Sequence, residues 1–129
     1  MLVDKSNVDL AIKIQNEIFP EEDGQEELLE AVKSGKSKRM SLLKYWICYS
    51  DTKPIGICGI TQYADYPDDA WLGWYGVRKE HRRQGFGRKM FEYVKSLAYQ
   101  MGYKHLRLYT DEQDNKIAII TYKKYEYTN

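Results

Sequence analysis

The sequence predicts an α/β (α+β) domain in which a mixed, mostly antiparallel sheet packs against helices. Residues 44–50 and 55–63 are apolar, aromatic runs separated by the turn-forming segment 51–54, and so short a connection predicts an antiparallel hairpin. Two further strand-like runs, residues 71–77 and 105–110, are separated by a helix-sized segment. A connection of that length predicts a parallel pair joined by a right-handed crossover.

Length and composition describe an ordinary globular domain. The chain has 129 residues, of which 43% are hydrophobic and 30% are charged, so we expect a single domain over residues 1–129. The formal net charge is +1, which favours a small anionic ligand over nucleic acid or a membrane surface. No apolar run approaches the roughly 20 residues of a membrane span, and no leader is recognisable. We therefore expect a cytoplasmic protein with no membrane partner.

The first forty residues predict two helices. Residues 1–5 resemble the end of a strand, and Ser6 or Asn7 can cap a first helix with a regularly spaced apolar face. Asp23 and Glu26 form a capping-box pattern for a second helix, which Gly35 ends.

Cysteine and glycine positions bear on the predicted strands. Cys48 and Cys58 fall on the two strands of the hairpin, and with no C-x-x-C pair and only two histidines they form no zinc set. We expect reduced thiols that fill small spaces in the core.

Gly73 and Gly76 interrupt the strand 71–77, where glycines mark a bulge or a close approach to the backbone.

The segment after residue 77 is the most informative part of the chain. A basic turn precedes a helix whose apolar residues recur at steps of three and four, and which Gly102 ends. The first turn of a helix has backbone N–H groups without intrahelical acceptors, at the positive end of the macrodipole. Gly85 and Gly87 would let a phosphate approach those amides. Positive charge around this predicted pyrophosphate site comes from Arg82, Arg83, Arg88 and Lys89.

The pattern is neither of two common phosphate motifs. A Walker A loop needs G-x-x-x-x-G-K-[ST], which does not occur, and a dinucleotide fold needs a third glycine where Met90 stands. The string Arg82-x-x-Gly85-x-Gly87 instead resembles the acyl-CoA motif Q/R-x-x-G-x-G/A of the GNAT superfamily of N-acetyltransferases. This family also carries N-x-x-A-x-x-x-Y on its last helix. The same spacing is found here in Asn115, Ala118 and Tyr122. Helical spacing is also shown by Ile117, Ala118, Thr121 and Tyr122.

This resemblance implies a fold, a reaction and a set of site residues. The sheet would contain a splayed parallel pair with helices on both faces. The chain would transfer an acetyl group from acetyl-CoA to a primary amine by direct attack in a ternary complex. Tyr122 would protonate the leaving CoA thiolate, since a phenol with a pKa near ~10 is a suitable donor. The residues expected to bind CoA are Tyr75, Gly76, Val77, Arg82, Arg83, Gln84, Gly85, Phe86, Gly87, Arg88 and Asn115.

The resemblance leaves the acceptor side open. A small-molecule or peptide amine is expected as the acceptor. The general base could be any of several loop acids: Glu21, Glu22, Asp68, Asp69 or Asp111. The family continues past its last helix with two further strands, so the C-terminal strands are expected to be missing from this chain. Their loss would expose the strand around Leu106 as a sheet edge, across which a homodimer could form.

Two other functions are alternatives. A non-catalytic regulatory module would bind acetyl-CoA without turning it over. A small nucleic-acid-binding domain would use the basic residues of segment 78–89 together with nearby aromatic side chains. The balanced net charge makes nucleic acid the weaker of the two.

Overall fold

The structure, a computed structural model, describes residues 1–111 and 116–122. Its elements in chain order are α1 (Val8–Ile18), α2 (Gln25–Lys33), β1 (Met40–Ser50), β2 (Lys53–Tyr63), β3 (Asp69–Leu72), β4 (Gly76–Val77), α3 (Phe86–Gln100), β5 (His105–Asp111) and β6 (Lys116–Thr121). The strands form one sheet in the order β1-β2-β3-β5-β6, with β4 paired to β2. Only β3 and β5 are parallel, so the predicted mixed sheet with one parallel pair is confirmed.

Helices cover both faces of the sheet, and each face has its own core. On one face, α1 and α2 pack against alternate residues of β1 and β2. On the other face, α3 packs against β2, β3 and β5 through Met90, Val94 and Ala98. The hairpin of β1 and β2 supplies both cores because its successive side chains point to opposite faces.

The strand predicted over residues 71–77 is interrupted by a bulge. Leu72 pairs with Ile60 of β2, whereas Gly76 pairs with Ile57. The bulged strand therefore advances four residues while β2 advances three, which is the extra residue that defines a β-bulge. The bulge separates β3, which pairs with β5, from β4, which does not. The predicted bulge and the predicted splay of the parallel pair are both present.

Both glycines of this strand face protein atoms at close range. A Cβ on Gly73 would lie 2.9 Å from the Tyr45 ring, and one on Gly76 would lie 2.6 Å from the Ile18 side chain. Glycine is therefore required at both positions by packing within the protein. These glycines give no evidence of a ligand.

The helix ends differ from expectation in one case. Gly24, and not Asp23, is the N-cap of α2, and no capping box forms. A Cβ on Gly24 would collide with the buried Gln15 side chain and with the Trp74 indole, so no larger residue fits this cap. Gln15 replaces the capping side chain in part, because its amide accepts from Gly24 N–H and donates to the Glu22 carbonyl. Gly35 follows α2 with φ +71°, as predicted.

The expected last helix is wrong, because Lys116–Thr121 forms strand β6. The apolar run here is rich in β-branched residues, and β5 offers it an unpaired edge, which together outweigh the helical spacing. β6 pairs antiparallel with β5, with Leu106 opposite Ile120. The strand around Leu106 is therefore not a sheet edge, and the predicted route to a homodimer across it is removed.

The two thiols lie on neighbouring strands, as predicted. Cys48 Sγ and Cys58 Sγ are 3.4 Å apart and both cysteines are free. Within the part of the chain that the structure describes, no helix has the length and apolarity needed to cross a bilayer.

We expect Gly76→Ala to lower the free energy of unfolding by about 1–3 kcal/mol, because the added methyl overpacks against Ile18. The double variant Ile18→Ala/Gly76→Ala should recover part of the loss, since the collision is relieved. Denaturant unfolding of the four proteins of this cycle measures the coupling. A Gly76→Ala cost that is the same with and without Ile18 would contradict the close contact.

Candidate active site

The start of α3 presents free backbone donors. The N–H groups of residues 84–88 have no acceptor among the described residues, and the first intrahelical bond here runs from Lys89 N–H to the Gly85 carbonyl. Arg83 and Gly85 both have positive φ, at +64° and +85°. Successive N–H groups around left-handed residues at a helix start form a concavity that binds anions.

The two glycines of the motif, Gly85 and Gly87, differ in their surroundings. A Cβ on Gly85 would meet nothing within 4 Å, so the left-handed backbone, and not a lack of space in the free protein, selects glycine there. A Cβ on Gly87 would approach the Tyr75 hydroxyl at 3.4 Å. The space above Gly85 is open, and an anion seated on the helix amides would occupy it.

Some of the basic residues near this turn are bound to other protein groups, and others are exposed. Arg78 binds Glu17 of α1 through a 2.9 Å ion pair, and Arg82 Nε donates to the Val77 carbonyl at 2.9 Å. Arg83, Arg88 and Lys89 are exposed, and no partner among the described residues is found for them. Fewer cations are therefore available than the sequence suggested, which weakens the nucleic-acid alternative further.

The edge of β4 that faces away from β2 is open for hydrogen bonding. Arg78 N–H donates to the Ile55 carbonyl of β2, so in an antiparallel ladder the N–H and C=O of the preceding Val77 point to the other side. Arg82 takes the Val77 carbonyl. The Val77 N–H has no acceptor among the described residues, so it is available to an extended ligand.

Tyr75 lies between this edge and α3. Its hydroxyl donates to the Gly87 carbonyl, and its ring is half-buried against the core under α3. Burial raises the pKa of the Tyr75 phenol above its usual value, with a smaller contribution from the two cysteines. The side chain stays a neutral donor at physiological pH and fixes the start of α3 to the bulge.

A cavity of about 420 Å³ opens on the opposite side of the same bulge. Its walls come from the end of α1, from α2 and from the first three strands. Its lining includes Phe19, Glu22, Glu27, Tyr45, Trp74 and Tyr75. Tyr75 lines this cavity and also contacts the first turn of α3, so this side chain links the cavity to the helix start.

A hydrogen bond joins two residues that line this cavity, Tyr45 and Glu27. The Tyr45 hydroxyl donates to Glu27 Oε2 at 2.9 Å, and Tyr45 is only 1% exposed. Burial raises the pKa of the Tyr45 phenol far above its usual value, the Glu27 carboxylate raises it further, and the Trp74 backbone amide opposes the shift. The phenol is therefore a permanent donor that holds the carboxylate at the cavity wall.

A second cavity of about 500 Å³ adjoins the first and shares Glu27, Met40, Tyr63 and Trp74 with it. Its charged lining residues are Asp23, Glu26, Glu27, Glu30, Lys38 and Arg39. The acids outnumber the bases, so this side of the molecule attracts cations. Trp74 Nε1 is buried without a hydrogen-bond partner among the described residues.

The predicted proton donor lies elsewhere. Tyr122 follows β6, and its hydroxyl donates to the Lys95 carbonyl at 2.6 Å. Lys95 is the tenth residue of α3, so this carbonyl is roughly 14 Å along the helix from Phe86. The Tyr122 ring packs against Tyr99 at 5.6 Å. Asn115, the other member of that motif that was expected at the site, lies outside the described residues.

Only one of the predicted base candidates with a described side chain lines the first cavity, and that residue is Glu22. Asp69 is buried and held by Arg107 at 2.7 Å, and Asp68 pairs with Lys104 at 3.6 Å. The sequence reasoning missed Glu27, Tyr45 and Trp74. Glu27 is one of several acids in the predicted second helix, and Tyr45 is one of several aromatic residues in the strand 44–50, so neither carried a local signal.

The model of the Acetyltransferase (GNAT) family matches residues 8–127. The chain belongs to the GNAT acetyltransferase family. A search of curated proteins found no match to it.

Solved structures of GNAT proteins share its fold. AAC(6')-Iy bound to the bisubstrate analogue CoA-S-monomethyl-acetylneamine superposes with a TM-score of 0.68 at 14% identity, over 96% of this chain and 95% of that one. A GNAT family acetyltransferase from Brucella melitensis in complex with acetyl-CoA gives 0.65 at 13% identity, over 92% and 84%. A tandem GNAT protein from the clavulanic acid biosynthesis pathway gives 0.64 at 15% identity, over 84% of this chain. The present chain spans only 35% of that tandem protein.

Proposed function

We propose that this protein transfers an acetyl group from acetyl-CoA to a primary amine by direct attack in a ternary complex. The observation that carries the proposal is the arrangement around the bulge. Tyr75 contacts the helix start that carries the free amides, and it also lines a cavity that contains Glu22 and Glu27. A di-anionic donor and a cationic acceptor would thus approach the same strand edge from opposite faces.

The residues of the α3 start fit the CoA pyrophosphate. The backbone amides of Arg83, Gln84, Gly85, Phe86, Gly87 and Arg88 would hold it, since the open space above Gly85 admits a phosphate. The Arg83 and Arg88 side chains add charge. Arg82 would act indirectly, by fixing the turn to Val77.

The bulged strand fits the pantetheine arm. The Val77 N–H points to the unpaired side of β4, where an extended amide chain would add as a further strand. The backbone around Tyr75 and Gly76 would face the thioester, and an N–H there would stabilise the oxyanion of the tetrahedral intermediate. Asn115 is retained as a predicted contact on the strength of its motif alone.

Gly85→Val should weaken acetyl-CoA binding about tenfold or more, because its side chain fills the space that a phosphate needs. A hydrogen bond to a charged group contributes roughly 1.5–3 kcal/mol, which is a tenfold effect or larger. Isothermal calorimetry measures the dissociation constant.

Gly102→Val is the matched control. Gly102 follows the other end of α3 with φ +90°, and a Cβ there also meets nothing within 4 Å. Both variants should therefore lose a similar stability to left-handed strain, roughly 1–2 kcal/mol or more for a branched residue. Equal weakening of binding by the two variants would show that the helix start does not hold the pyrophosphate.

Turnover is tested with acetyl-CoA and a panel of amines that contains ethylamine, spermidine, kanamycin and a lysine peptide. Release of free CoA thiol that depends on the amine is the expected result. Acetyl-CoA binding without turnover of any amine would instead favour the non-catalytic regulatory module.

Tyr122 as donor to the CoA thiolate is a separate proposal, motivated by the family motif. When acetyl-CoA binds, the Tyr122 hydroxyl would have to give up its hydrogen bond to the Lys95 carbonyl and donate to the thiolate instead. The donor role predicts that Tyr122→Phe lowers kcat about 10²-fold. A loss of about 1 kcal/mol in stability with unchanged kcat would contradict it, and would leave the hydroxyl as a structural link to α3.

A cytoplasmic location is proposed as well. Two free thiols at 3.4 Å remain reduced most readily in a reducing compartment. Detection of a Cys48–Cys58 disulfide in protein isolated under thiol-trapping conditions would count against it.

A further inference from the structure

We propose that Glu27 is the group that removes the proton from the acceptor ammonium, and that Tyr45 positions it. The inference rests on the proposed acetyl transfer and names the base that the reaction needs. Glu27 lies where the two cavities meet, and its carboxylate is held by a hydroxyl that is buried under the bulge.

The distance between Glu27 and the bulge is short. The Tyr45 hydroxyl is 2.9 Å from Glu27 Oε2 and 2.9 Å from the position that a Cβ on Gly73 would take. The carboxylate is therefore one hydrogen bond away from the backbone that turns β4 out of the sheet. An amine held in the first cavity would lie between this carboxylate and the strand edge that faces the thioester.

Other acids are less suited to the role. Glu22 also lines the first cavity, but it is exposed and no side chain among the described residues fixes its carboxylate. Asp69 already neutralises Arg107. Glu27 is the acid of this cavity whose orientation the fold determines, and Tyr45 keeps one of its oxygens occupied and leaves the other for the amine.

The proton balance is complete without another reactant. The ammonium gives one proton to the Glu27 carboxylate, and the free amine attacks the thioester carbonyl carbon and forms the C–N bond. The tetrahedral intermediate then breaks its C–S bond. The thiolate becomes CoA thiol by taking up one proton, and the nitrogen gives up its second proton, either directly to the thiolate or to Tyr122 in exchange for the proton that Tyr122 donates. Glu27 returns its proton to solvent.

The Glu27 carboxylate lies among other charged and polar side chains. Glu22 and Asp23 face it from the loop before α2, and Glu26 and Glu30 face it from α2. Lys38 and Arg39 precede β1, and the phenols of Tyr45 and Tyr63 come from β1 and β2. The contribution of Glu27 is the difference between the pH profiles of the wild-type protein and of the single variants.

The test compares ethylamine with 2,2,2-trifluoroethylamine, an amine of similar size that is largely unprotonated at neutral pH. Glu27→Gln should lower kcat for ethylamine about 10²–10⁴-fold with little change in the KM for acetyl-CoA. The same variant should remain within about tenfold of wild type for trifluoroethylamine, which needs no base to free its lone pair. The low-pH limb of the ethylamine profile should be lost.

Tyr45→Phe should lower kcat for ethylamine less than Glu27→Gln does, and it should add nothing in the double variant, because both changes act on one group. Thermal unfolding of Tyr45→Phe checks that the fold persists. Glu92→Gln, which changes an exposed acid of α3 that lines neither cavity, is the control variant and should retain wild-type kcat.

Four results would overturn the inference: equal losses for both amines, a Glu27→Gln effect confined to the KM for ethylamine, a larger loss in Glu22→Gln, or Tyr45→Phe and Glu27→Gln effects that simply add. These differ from failure of the proposed function, which would show as no turnover of any amine by the wild-type protein.

Discussion

The packing of the Tyr45 ring across two glycines is the constraint on which the rest of the site depends. The ring lies over Gly59 of β2 and Gly73 of the bulge, where a Cβ would come within 2.3 Å and 2.9 Å of its carbons. With both positions bare, one aromatic side chain spans two neighbouring strands. The buried hydroxyl then reaches Glu27 on the helix above. The bulge lies beside the same ring, since Gly73 is its first residue and regular pairing resumes at Gly76.

The two aromatic residues of the bulge pack on opposite faces of the sheet. Trp74 packs with the core under α1 and α2, and Tyr75 packs with the core under α3. Positive backbone dipoles and free arginines lie on the α3 side, and the acids of α2 lie on the other. A formal net charge of +1 hides this separation, because attraction of two oppositely charged ligands depends on local charge.

The sequence predicted well what depends on local pattern. The hairpin, the crossover helix and the glycine at the start of α3 each follow from spacing and turn chemistry within a few residues. The sequence did not predict the features that depend on contacts between residues distant in the chain. Residues 117–122 had helical spacing, but pairing with β5 made β6 a strand. Gly73 and Gly76 predicted a close approach, but no local rule says that the approaching groups are Tyr45 and Ile18. Glu27 was missed for the same reason, since its partner is 18 positions away.

The start of α3 is attached to the sheet by contacts that spare its donors. Tyr75 donates to the Gly87 carbonyl, and Arg82 donates to the Val77 carbonyl. Both links are from a side chain to a backbone acceptor, so they fix the turn without using any of the N–H groups of residues 84–88. Had the turn been held by side-chain acceptors, as at an ordinary capped helix, those donors would be satisfied internally. A helix start fixed through these two carbonyls, one in α3 and one in β4, keeps its first-turn amides oriented and free of acceptors among the described residues. An anion can then bind them without first displacing a described protein group.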